Sequence, residues 1–174
     1  MFLSIKEMEL RKIRFEETFA PGQIDFTGEA LEQACPLRAA GTAELLAHSD
    51  GEVRIRGRYS VEMTAECDRC LAHARFPMDE AFDLFYRPAS QNALEEEVGI
   101  DEGEAEIGFY EGEGLELADI LRERVLLTLP MQRVCSDDCQ GICPVCGRNR
   151  NESACGCKTG LADDRWGALR NLNS

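Results

Sequence analysis

The strongest pattern in the chain is a strict two-residue alternation from Val53 to Cys67. Val53, Ile55, Gly57, Tyr59, Val61, Met63, Ala65 and Cys67 share one phase, and Arg54, Arg56, Arg58, Ser60, Glu62, Thr64 and Glu66 share the other. Successive side chains of a strand point to opposite faces, so this run reads as a half-buried strand. Leu37, Ala39, Gly41, Ala43, Leu45 and Ala47 keep one phase before it, and Asp50-Gly51 between the two runs is a hairpin turn signal. Phe76, Met78, Phe82, Leu84 and Tyr86 resume the pattern after a turn near Cys67–Cys70. The pattern predicts a three-strand antiparallel meander over about 36–48, 52–67 and 71–86. It also predicts an earlier strand near Ile13–Phe19, with Phe15 and Phe19 on its apolar face, and a short strand around Ile107, Phe109 and Tyr110.

From Leu115 to Leu129 the period lengthens. Leu117, Ile120, Leu121, Val125 and Leu127 or Thr128 follow helical spacing, with Glu116 and Asp119 early and Arg122 and Arg124 later, as the helix dipole favours. Pro130 stops the helix. The expected class is α+β: an antiparallel sheet carrying one main helix over residues 1–130, then a small cysteine-rich module over residues 131–174.

Charge changes the picture in one place. Residues 79–119 carry 14 acidic side chains and one basic, which accounts for −13 of the total −14. The acidic loop expected over about 90–114 is a solvated stretch held extended by self-repulsion, or a docking segment for a basic partner. The remainder is near neutral and leaves room for a local basic surface. Arg54, Arg56 and Arg58 share one strand face and could track a phosphate backbone, with Arg148, Arg150, Lys158 and Arg165 joining them, or they could simply solvate that face. No apolar run approaches the ~18 residues of a membrane span, and charges follow Met1 too closely for a signal peptide. A cytoplasmic protein is expected.

The nine cysteines then demand chemistry. In a reducing compartment, close-spaced cysteines read first as metal ligands. Cys67 and Cys70 form C-x2-C, Cys135 and Cys139 C-x3-C, Cys143 and Cys146 C-x2-C, and Cys155 and Cys157 C-x-C. Cys143-Pro144-Val145-Cys146-Gly147 reads as a zinc knuckle, two thiolates on one tight turn. Two arrangements satisfy the count. One zinc uses four of the six cysteines between Cys135 and Cys157; or two zincs divide eight, Cys143, Cys146, Cys155 and Cys157 holding one and Cys67, Cys70, Cys135 and Cys139 the other. Cys67 and Cys70 also fit a metal-free hairpin tip, and Cys35 a small buried hydrophobe. All-thiolate ligation closes a site, so the expected zinc is structural. Neither His48 nor His73 sits in a catalytic pattern, and no phosphate-binding glycine loop is present, so no enzymatic activity and no small-molecule substrate are expected.

Three parts occur in order: a strand ending Glu66-Cys67-Asp68-Arg69-Cys70-Leu71, an acidic stretch leading to a helix ending Leu129-Pro130, and a tail C-x3-C-x-G-I-C-P-x-C-G from Cys135 to Gly147. Asp163-Asp164-Arg165-Trp166-Gly167-Ala168-Leu169-Arg170 closes the chain as a short helix would. The set resembles the YceD family, the large-subunit ribosomal RNA accumulation proteins. The resemblance implies a role in synthesis, processing or stability of the 23S ribosomal RNA. It also implies that the set containing Cys67 and Cys70 is the core metal site and the 143–157 cluster an elaboration. The alternative is an acidic escort that holds a basic large-subunit ribosomal protein without touching RNA.

Overall fold

Residues 1–89 and 107–157 are described, in a computed structural model. In chain order they form β1 (Phe2–Ser4), α1 (Ile5–Leu10), β2 (Ile13–Phe19), β3 (Glu32–Gln33), β4 (Leu37–Leu45), β5 (Val53–Glu66), β6 (His73–Pro88), β7 (Ile107–Tyr110), β8 (Gly114–Glu116) and α2 (Leu117–Thr128). The chain packs as two units. The first comprises Met1–Ala65 and Ala74–Met131; the second comprises Glu66–His73 and the chain from Gln132 onward. The tip of the β5–β6 hairpin therefore belongs with the tail, although 58 residues of the first unit separate them in sequence (Ala74–Met131).

In the first unit the main sheet runs β2-β4-β5-β6-β7, with β3 pairing β5 beside this path. β2 and β5 both pair antiparallel with β4. The three strands expected from the alternation are consecutive neighbours, but the sheet is mixed rather than purely antiparallel. β7 lies parallel to β6, from Phe85↔Ile107 to Pro88↔Tyr110. Parallel neighbours need a crossover connection. Here the connection, and with it most of the expected acidic loop, falls in residues 90–106, outside the described residues. Within the rest of that loop Ile107–Tyr110 form β7, and its last residue, Gly114, opens β8, which pairs antiparallel with β1 in a separate two-stranded sheet.

The predicted alternation sorts the faces of β5. Val53, Ile55, Tyr59, Val61, Met63 and Ala65 are buried, while the arginines of the other phase are not. Where Gly57 interrupts the apolar phase, it faces Gly41 across β4. A Cβ at Gly41 would stand 2.7 Å from the ring of Phe15, and one at Gly57 2.8 Å from the ring of Phe82. The glycine pair makes the space these rings occupy.

α2 contributes Leu117, Ile120, Leu121 and Val125 to the same core. The Tyr59 hydroxyl donates to Thr128 Oγ1 at 2.7 Å, and Thr128 Oγ1 donates to the Arg124 carbonyl at 2.8 Å, so a polar link ties β5 to the helix. Leu115 belongs to β8, so the helix starts two residues later than its periodicity suggests. Leu127, offered by spacing as an inner-face position, is 66% exposed.

The three tyrosines of the chain, Tyr59, Tyr86 and Tyr110, are all held above the ordinary phenol range. Burial is the main cause in each, and it pushes Tyr86 up to about 12 with help from the nearby Glu123 carboxylate. An unfolded tyrosine ionises near pH ~10. The folded pKa values are raised, so this contribution is complete below about pH 10 and is lost as pH rises toward the folded value. Tyrosinate absorbance in an alkaline titration is therefore expected to appear late and together with unfolding. Ordinary, independent ionisation of all three near pH ~10 would contradict the packing.

Candidate metal centres

The described residues of the second unit form no conventional core. Among them the buried hydrophobic side chains are Cys67, Cys70, Cys139 and Cys143, and nothing larger. A unit with so little buried apolar mass among its described residues needs a covalent or metal staple.

The first group of thiols joins the hairpin tip to the tail. β5 ends at Glu66, and the Cys67 N–H donates to the Ala72 carbonyl at 2.8 Å, closing a tight turn in which Leu71 takes a left-handed φ of 61°. The tail docks by a reciprocal pair: the Asp68 N–H donates to the Arg133 carbonyl at 2.8 Å, and the Arg133 N–H to Asp68 Oδ2 at 2.6 Å. This brings Cys135 and Cys139 to the tip. Sγ of Cys67 lies 3.8 Å from that of Cys139, and Sγ of Cys70 lies 3.7 Å from that of Cys135. All four sulfurs lie within 4.8 Å of one another. Disulfide sulfurs would be ~2.05 Å apart. Four thiolates about 2.3 Å from one tetrahedral ion stand about 3.8 Å from each other, the edge length of that tetrahedron. The spacing suits one ion, and it is too tight a cage for a sulfide-bridged iron cluster. This group is called the clasp set below.

Cys143, Cys146, Cys155 and Cys157 form a second group with the same mutual limit of 4.8 Å, the knuckle set. Cys143 N–H donates to the Arg148 carbonyl and Gly147 N–H to the Cys143 carbonyl, each at 2.8 Å. Gly147 takes φ of 69°, a conformation that glycine reaches without strain, directly after the second thiol of the turn.

Backbone amides aim at these sulfurs. For Cys67, burial opposes ionisation, but the N–H groups of Cys70, Arg69 and Cys135 outweigh it and bring the thiol down to about 6. The amides of Cys146 and Val145 likewise bring Cys143 down to about 6. Asn151 lowers Cys139 through a side-chain N–H. Within each set other thiols move the opposite way: Cys157 is pushed up to about 12, first by hydrogen bonding to Cys146 and then by burial. The amides prepare thiolates, yet four adjacent negative charges are not sustainable without a cation. The two sets could each hold a metal ion.

The other residues singled out in sequence lie elsewhere. Arg54 is bound by both carboxylate oxygens of Asp83 at 2.8 and 2.6 Å and stacks over Phe85 at 5.2 Å. Arg56 faces Glu44 at 3.6 Å and Arg58 meets Asp79 at 2.6 Å. The arginine face of β5 is thus largely self-neutralised. Arg148 and Arg150 are exposed, and among the described residues no carboxylate pairs with either. Cys35 is half-buried rather than buried, and its sulfur accepts the Glu62 N–H at 3.2 Å. Lys158 and Arg165 lie outside the described residues. The spacing of the cysteines gave no hint of Asp68, Asn149 or Asn151, whose side chains organise the turns around the sulfurs.

A family described as large ribosomal RNA subunit accumulation protein YceD matches residues 55–173, well over half of the chain and all eight cysteines of the two sets. The chain belongs to the YceD family. The name of that family implies a role in accumulation of large-subunit ribosomal RNA. Uncharacterized proteins of Mycobacterium bovis and Mycobacterium tuberculosis are each 34% identical over 96 residues, 55% of this YceD chain and 44% of the relative, so the match spans less than half their length. The uncharacterized Bacillus subtilis protein YlbN is 23% identical over 170 residues, covering 97% of this chain and 92% of its own. No solved structure matches the chain. No helix among the described residues is long and apolar enough to cross a membrane.

Proposed function

We propose that this YceD protein is a non-catalytic ribosome biogenesis factor of the cytoplasm that supports 23S ribosomal RNA through a tail folded on two structural zinc ions. The observation that carries the metal reading is the sulfur geometry, with edges of 3.7 and 3.8 Å in a unit where the buried hydrophobic residues, among those described, are all cysteines. Soft all-thiolate donors in tetrahedral array favour zinc. Thiolate ligation on all four sides leaves no open position for substrate, which argues against hydrolytic work. Depleting the protein should lower mature 23S relative to 16S RNA, and the protein should co-sediment with large-subunit precursors. An unchanged RNA ratio and absence from every precursor fraction would defeat the reading.

For direct RNA contact the favoured residues are Arg148 and Arg150, because Arg54, Arg56 and Arg58 already face Asp83, Glu44 and Asp79. Each phosphate contact contributes close to one unit to the slope of log affinity against log salt. Replacing both arginines by alanine should flatten that slope by about two for a 23S fragment. Replacing the three β5 arginines should change it much less. Absence of binding even at low salt would leave the escort reading, which the −13 charge of residues 79–119 favours. In that case deleting residues 95–106 should abolish co-purification with a basic large-subunit protein.

A further inference from the structure

The segment that follows the knuckle turn reaches back to the clasp set. Asn149 pairs with Ile142 in an isolated antiparallel bridge, flanked by the Arg150 N–H donating to the Gly141 carbonyl at 2.9 Å. This lays Asn151 beside Gln140 and Cys139. Asn151 Oδ1 accepts the Gln140 N–H at 2.8 Å, and its Nδ2 donates to Cys139 Sγ at 3.4 Å. The Gln140 N–H can only donate, so the amide orientation is fixed and its own N–H must face the sulfur. Asn149 Oδ1 accepts both the backbone and side-chain N–H of Asn151 at 3.0 Å, which leaves that amide little freedom.

Asn151 therefore donates to a clasp ligand from residues 147–154, the stretch between Cys146 and Cys155 of the knuckle set. With the knuckle set closed on an ion, both ends of that stretch are held. With it open, the far end is released, and ordering Asn151 costs chain entropy that the N–H···S bond must offset. A donor to a ligating sulfur disperses thiolate charge, and removing such an outer partner typically costs 10–100-fold in metal affinity.

We propose that Asn151 couples the two centres: closure of the knuckle set on its ion seats the Asn151 amide against Cys139 and so raises the metal affinity of the clasp set. By reciprocity, a filled clasp raises the affinity of the knuckle by the same factor. The proposal rests on the reading that both sets bind metal, and it goes beyond that reading by making them cooperative.

The test is a cobalt titration of the full chain after metal removal, following the thiolate-to-cobalt charge-transfer absorption. The knuckle is left intact or disabled by Cys155→Ser with Cys157→Ser, and each form is made with Asn151 and with Asn151→Asp. Aspartate keeps the acceptor for the Gln140 N–H, removes the Nδ2 donor to Cys139 Sγ and to Asn149 Oδ1, and adds a negative charge beside the sulfur; Asn151→Ala removes the donor without adding charge. Disabling the knuckle should weaken cobalt binding at the clasp about 10-fold when Asn151 is present and negligibly when it is Asp. Asn151→Asp with an intact knuckle should already show the weaker affinity. Asn151→Ala, with folding checked by far-UV circular dichroism, provides the second variant should Asp perturb the fold. Equal weakening in both backgrounds, or none in either, overturns the coupling. A wild-type chain that takes up no metal would instead sink the reading beneath it, so the two failures are distinguishable.

Discussion

Protein purified without added metal should carry two zinc ions per chain, and stripping them should unfold the described part of the tail, Gln132–Cys157, while the main sheet survives. The expectation follows from what the two units bury. The first holds a continuous cluster including Leu37, Val53, Ile55, Tyr59, Met63, Leu117 and Leu121. The second buries four thiols and no larger apolar side chain among its described residues. Structural zinc contributes roughly 10–16 kcal/mol of apparent binding free energy in small metal-folded domains, as much as the whole stability of a typical domain, about 5–15 kcal/mol. Nothing else among the described residues of the second unit approaches that scale. Elemental analysis gives the stoichiometry, and hydrogen exchange before and after chelation gives the structural consequence. The amides of Cys139, Ile142, Cys143 and Gly147, now in hydrogen bonds, should lose protection, and those of β4 and β5 should keep it. One equivalent would leave one set metal-free. Zero equivalents, or protection indifferent to chelation, would remove zinc from the account altogether.

Leu121→Ala should destabilise the first unit by about 2–5 kcal/mol and leave the zinc content unchanged. Leu121 is fully buried in the middle of α2 and packs in the cluster with Leu117, Ile120 and Val125. Truncation removes apolar contact and opens a cavity that a sheet-backed helix can only partly close. Leu127→Ala is the internal control. It lies on the same helix but is 66% exposed, and its loss should stay within about 0.5 kcal/mol. Urea unfolding of the two variants compares them directly. Similar costs at both positions would mean that α2 presents a different face to the sheet.

Local chemistry explains which parts were readable from sequence. β5 was legible because its two phases differ sharply from Val53 to Glu66, and β2 because Phe15 and Phe19 keep one phase. The end of α2 was legible because Pro130 cannot continue a helix. β1 and β8 were not, being three residues each, too short to show a period, and paired with one another across the chain. The parallel placement of β7 was not legible either, since four residues carry no sign of direction. Leu127 shows the limit of periodicity: spacing allows it on the inner arc, and only the packed helix turns it out. For the candidate centres, counting suggested how eight thiols divide into fours. What counting could not reach was the amide environment of the sulfurs, because backbone N–H groups have no sequence signature and Asn151 looks like any loop asparagine. The same limit applied to Arg54, Arg56 and Arg58, whose carboxylate partners lie on other strands.

The hairpin tip that joins the tail sets the timing of synthesis. Cys67 and Cys139 are 72 positions apart, and Cys70 and Cys135 are 65 apart. At about 5–20 residues per second, roughly 4–14 s pass between translation of Cys67 and arrival of its last partner. Once β6 has been synthesised, the tip is for the rest of that interval a bare dithiol on a hairpin still lacking Cys135 and Cys139. On the proposed zinc reading, the clasp ion would be a late passenger of the nascent chain, seated after the sheet hairpin rather than before it. Oxidant or foreign metal that reaches the growing polypeptide first would meet two unmatched thiols at one turn.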